Sequence, residues 1–148
     1  MILCSRAFVR LAYMTSPSTI QSTHTAIIAD IDRVLECVRD YPRAFSALQI
    51  LEQDMMLYFD CQRSIFYEKL RRLFQGNRRS LKMIEFLEQD LLDLRVGFLE
   101  FTDRYPPEAN PVRIRNFPIE FKAFSRKIID RISLEEEYLF PLLARSNK

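Results

Sequence analysis

Two pairs of polar residues stand four positions apart in this chain, Tyr58 with Gln62 and Arg131 with Glu135. A spacing of four puts both side chains of a pair on one helix face, one turn apart, which is how helical bundles aim ligands at a central metal. The pairs sit at matching places in Tyr58–Leu70 (YFDCQRSIFYEKL) and Arg131–Leu143 (RISLEEEYLFPLL), which superimpose without gaps at an offset of 73 residues. Only one of the four side chains is a carboxylate and none is an imidazole. The spacing is that of a metal site; the residue types are not.

The elements that position these pairs follow from apolar periodicity and its punctuation. The chain has 148 residues, enough for one domain with a sizeable core, and only two glycines, Gly76 and Gly97. Its prolines fall between or near the ends of long apolar-periodic segments, as in an all-α protein. The spacing predicts a first helix from about Ser22 or Thr23 to Tyr41, ended by Pro42, and a second of roughly 30 residues from Ala44 to Phe74, stopped by Gly76-Asn77. A third runs from about Ser80 to Tyr105, and Pro106-Pro107 end it. Residues 106–115 form the one long connection, after which Asn116 is a suitable N-cap for a fourth helix to Ala144, with Pro118 in its first turn. Short links make sequential helices antiparallel neighbours, and the product is an antiparallel four-helix bundle.

A second match supports an internal repeat. Ile28–Val38 aligns with Leu91–Phe101, setting Asp30 against Asp93 and Ile31 against Leu94, so that a helix hairpin recurs with pseudo-twofold symmetry. The bundle is expected over residues 22–148. Residues 1–21 contain Arg6 and Arg10 but no acid, and are expected to be a disordered leader or a mis-assigned start, with Met14 as an alternative start. Both arginines interrupt the stretch where the apolar core of a secretory signal would lie, whereas the composition is compatible with a transit peptide.

Charge and composition exclude several functions. The formal net charge of +2 is too small for bulk attraction to nucleic acid or a membrane surface, and no run of eighteen apolar residues is present. Three widely spaced cysteines, Cys4, Cys37 and Cys61, argue for reduced thiols and a cytoplasmic setting. No enzyme is expected: His24 is the sole imidazole, no motif frames a nucleophile, and no glycine-rich phosphate loop exists. The twelve Phe and six Tyr read most simply as core.

Arg131–Leu143, with its run Glu135-Glu136-Glu137-Tyr-Leu-Phe-Pro141-Leu-Leu, resembles the closing helix of the hemerythrin-like (HHE cation-binding) four-helix bundles, and Tyr58–Leu70 resembles their second helix. The resemblance covers residues 23–145. It implies a di-iron site whose ligand positions here fall on Ile28, Tyr58, Gln62, Leu91, Arg131 and Glu135, of which only Glu135 matches. Imidazoles and bridging carboxylates are what an iron pair needs, so no metal or other cofactor is expected. Arg131 and Glu135 are instead expected to pair, with Tyr58 and Gln62 as hydrogen-bond partners, and His24 is expected to be a surface or capping residue. A weaker resemblance, carried by Phe66–Asn77 (FYEKLRRLFQGN) and Ser133–Leu143, is to the regulator-of-sigma-D anti-sigma family, a metal-free helical bundle.

One cluster of like charge remains. Lys69, Arg71, Arg72, Arg78, Arg79 and Lys82 gather around the turn between the second and third helices, with Glu68 as the only acid nearby. Cations at a helix C-terminus are ordinary, but alternation with Leu70, Leu73 and Phe74 gives this turn the mixed character of a protein interface. The expected function is therefore a metal-free protein-interaction or regulatory module, of which a transcription-related, anti-sigma-like regulator is one form. The alternative is a sensor or ligand-binding domain that keeps the old metal cavity for a small molecule or a residual metal.

Overall fold

The computed structural model of the chain describes residues 17–61 and 66–146. Residues 1–16 of the expected leader, and Gln62, lie outside the described residues. All regular structure among the described residues is helical: α1 Pro17–Glu36, α2 Tyr41–Cys61, α3 Tyr67–Leu73, α4 Arg78–Asp103, α5 Pro111–Leu134, a π-helical segment Glu135–Leu139 and α6 Phe140–Ser146. No described helix is long and apolar enough to cross a membrane.

Helix α1 starts at Pro17, inside the stretch expected to be leader, and carries Ile20, Ile27, Ile31 and Val34 into the core. Ile20 lies one heptad before Ile27, so the apolar stripe continues backwards past the expected start at residue 22. Tyr41 and Pro42 open α2; they do not close α1. Proline lacks the N–H that a first helical turn leaves unused, so it suits a beginning as well as an end.

Helix α4 is capped by Asn77, whose side chain accepts from the Ser80 N–H at 3.2 Å, and Gly76 before it takes the positive φ of 91° that the tight turn requires. Helix α5 is capped by Asn110, which accepts from the Arg113 N–H at 2.9 Å, and Pro111 takes the first helical position. The expected cap at Asn116 is thus displaced by a better one six residues upstream. Pro118 consequently lies inside α5, where its ring denies Ile114 the usual backbone partner.

Helix α1 packs on α2 and α5; α4 packs on α2, α3 and α5; α6 packs on α3. One end of the core is aromatic, with Phe101 against Tyr105, Phe117, Phe121 and Phe124. Tyr41 donates to the Pro106 carbonyl at 2.5 Å and Tyr105 donates to Glu120, fixing the α4–α5 connection to that end.

Burial follows the 73-residue repeat. Tyr58, Phe59, Phe66 and Leu70 are buried, and so are Arg131, Ile132, Leu139 and Leu143 at the matching places. Phe66 also shares π-helical geometry with its counterpart Leu139. The other alignment is not echoed: Ile28 is exposed where Leu91 is buried, and Asp30 is buried where Asp93 is exposed.

Candidate functional site

Glu135, wholly buried, is the hub of a polar network that draws side chains from α1, α2, α3, α4 and α5. Its Oε1 accepts from the Tyr58 hydroxyl and from Arg131 Nε at 3.0 Å, and its Oε2 accepts from His24 Nε2 at 2.5 Å. The Arg131 guanidinium goes on to donate to the Leu87 carbonyl at 2.6 Å, to Asp90 at 3.0 Å and to the Tyr67 hydroxyl at 2.6 Å. His24 Nδ1 faces Glu136 at 3.4 Å. Its ring stacks on Phe140 at 5.8 Å and 10°.

The local chain explains this convergence. Arg131 and Glu135 are one α-helical turn apart and share a face, as their spacing predicts. The π-helical segment then begins at Glu135; its wider turn allows Glu136 to reach His24 from the next position.

Of the positions assigned by resemblance, the network brings Tyr58, Arg131 and Glu135 together. Gln62 lies outside the described residues. Leu91 is buried in the apolar core, and Ile28 is 39% exposed on the outer side of α1. His24 corrects the expectation of a surface or capping residue, being 1% exposed and bonded at the centre. Its position was readable: Ile20, His24, Ile27, Ile31 and Val34 follow the three-four spacing of one stripe, which Ile28 leaves. Tyr67 and Asp90 join from elements whose register no local motif fixes.

Electrostatics bias Glu135, Tyr58 and Arg131 each toward one protonation state. Burial alone would raise the Glu135 carboxyl, but the His24 hydrogen bond and the Arg131 charge together keep it below the usual 4.5. Burial and the adjacent Glu135 charge push the Tyr58 hydroxyl well above 10, so it remains a donor. Burial pulls the Arg131 guanidinium down, yet Glu135 and the two tyrosines outweigh it and the cation is permanent. Among the described residues no group of three or more His, Cys, Asp or Glu is placed to hold a metal ion.

A second buried acid lies further along α1. Asp30 is 4% exposed, its Oδ1 accepts from Arg33 at 3.3 Å, and its Oδ2 has no donor. Asp54 of α2 stands near enough for its carboxyl to oppose ionisation of Asp30. Burial, with Asp54 adding to it, pushes Asp30 up to about 7.

The basic turn is divided by the fold. Arg71 pairs with Glu88 of α4 and Arg72 with Glu68 at 2.9 Å, which corrects the expectation that Glu68 was the only acid within reach. Exposed pairs of this kind add little to stability. Lys69, Arg78, Arg79 and Lys82 are exposed. Arg79 lines a groove of about 360 Å³ together with Met83 from α4, Glu137 and Tyr138 from the π-helical segment, and Leu142 and Arg145 from α6. Arg145, 66 positions away in sequence, is a cation of this site that sequence proximity had no means of adding.

No family model, curated protein or solved structure matches this chain.

Proposed function

We propose that the chain is a metal-free, non-catalytic antiparallel four-helix bundle of hemerythrin-like organisation, acting as a protein-interaction or regulatory module. Arg131 carries the reading. A permanent cation occupies the bundle centre, and with His24 and Tyr58 it takes both oxygens of the one carboxylate that the ligand pattern retains. Shared burial and π-helical geometry across the 73-residue repeat add support for a duplicated helix hairpin. The alternative, a sensor that keeps an open metal cavity, calls for space around Glu135, where these side chains already meet. Catalysis by the His24–Glu135 pair is disfavoured for the same reason: at 1% and 0% exposure neither group can touch a substrate. What remains for function is the surface, and an anti-sigma-like regulator is one form such a module takes.

Elemental analysis and a visible absorption spectrum of purified protein test this. The expected result is a colourless protein without stoichiometric iron, and chelation should leave its melting temperature unchanged. Two irons per chain with near-ultraviolet oxo-bridge absorption would refute it.

A further inference from the structure

The geometry points to the groove between the start of α4 and the end of the chain as the docking site for an acidic, amphipathic helical segment of a protein partner. This deepens the module reading above and rests on it. Met83, Tyr138 and Leu142 contribute apolar surface to its floor, and Arg79 on α4 and Arg145 on α6 line it beside them. Exposed Arg78 and Lys82 extend the positive rim, against which Glu137 is the one acid in the lining.

Charge complementarity therefore selects carboxylates, and the floor selects a neighbouring aliphatic or aromatic side chain. A helix supplies both at once, with acids on one edge of its apolar stripe. A phosphate backbone would meet the cations but would leave Met83, Tyr138 and Leu142 unused, which favours a protein segment over nucleic acid. The groove is also tied to the interior. Glu137 and Tyr138 belong to the same π-helical segment as Glu135 and Glu136, so the buried network fixes the groove wall.

The test uses a fluorescent 18-residue helical peptide of Glu, Ala, Leu and Phe with its acids along one edge, and a twin with Lys in place of every Glu. Anisotropy at low salt should show saturable binding of the Glu peptide, with methyl shifts at Met83, and at least tenfold weaker binding of the Lys twin. The Arg79→Glu/Arg145→Glu double variant should weaken the Glu peptide by about tenfold or more, equivalent to about 1.4 kcal/mol. Arg126→Glu, half that charge change on an exposed residue of α5, should weaken it less than about twofold. Circular dichroism confirms that each variant is folded.

Equal affinity for the two peptides, an equal loss in Arg126→Glu, or no saturable binding overturns the proposal. So does displacement of the peptide by a single-stranded oligonucleotide of higher affinity, or a dimer in sedimentation that Arg79→Glu dissolves. Iron content is measured on the same preparation. An iron-free protein that ignores the peptide removes the groove and keeps the module reading, whereas an iron-loaded protein that binds it does the reverse.

Discussion

Replacing Glu135 with alanine is expected to cost about 3–5 kcal/mol of unfolding free energy, and replacing Arg131 with methionine to cost clearly less. The alanine strands three donors in an apolar surround: Arg131 Nε, the Tyr58 hydroxyl and His24 Nε2. It also leaves the buried guanidinium with Asp90 as its one remaining ion-pair partner. Methionine has nearly the length of the arginine stem and fills the same space, while Glu135 keeps its bonds to His24 and Tyr58. Removing the cation frees the Leu87 carbonyl, Asp90 and the Tyr67 hydroxyl but leaves the buried carboxylate two donors, whereas removing the acid leaves a buried cation. Urea midpoints at unchanged slope are the measurement. Midpoints that barely move for either variant, or a larger loss for Arg131→Met, would show that Glu135 does not organise the centre.

How much of this centre could be seen in the sequence depends on what kind of signal each residue carries. Arg131 and Glu135 were legible because both lie on one helix, where a spacing of four has a fixed geometric meaning. Tyr58 was legible because the 73-residue repeat maps it onto Arg131. His24 was misplaced by its chemistry: a lone imidazole near a helix start looks like a cap, and the resemblance drew attention to Ile28 four positions later. The three-four spacing of Ile20, Ile27, Ile31 and Val34, all buried, is one that His24 fits and Ile28 does not. Tyr67 and Asp90 were not legible at all, since nothing local records how α3 and α4 sit against α5.

The all-helical class was readable from the scarcity of glycine and the long apolar periods. Boundaries were less so, and the errors share a cause. Pro42 opens a helix where the spacing predicts an end, and Pro118 lies inside one where it predicts a first turn, because proline states only that one backbone N–H is missing and capping residues decide which side the helix occupies. Asn110 and Asn77 make that decision by accepting N–H groups at N3 of α5 and α4. The groove was hidden for a different reason. Arg145 lines the same groove as Arg79 only through the tertiary placement of α6, which leaves no local trace.

Asp30 gives the second large effect, a dependence of stability on pH with a sign opposite to that of most carboxylates. Its folded value of about 7 stands above the usual 3.8, so between those values the native state holds a proton that the unfolded chain releases. Stability from this group is full below about pH 4, falls as pH rises through about 7, and is flat beyond. Glu135 behaves in the ordinary way, its contribution being lost as pH falls below 4.5, so the two windows scarcely overlap. The charged groups bearing on Asp30 are Asp54 from α2, which raises it, and Arg33 on its own helix, which opposes the rise from an exposed position. Asp30→Asn removes the titrating group and puts a neutral amide in the same buried place at every pH. The variant should match wild type near pH 4.5 and exceed it at pH 8 by on the order of a few kcal/mol. Asp54→Asn should flatten the same slope from the other helix, which a purely local effect of residue 30 would not do. Denaturation curves from pH 4.5 to 8 decide it: variant and wild-type stabilities that run parallel across that range would mean that Asp30 is already ionised at neutral pH.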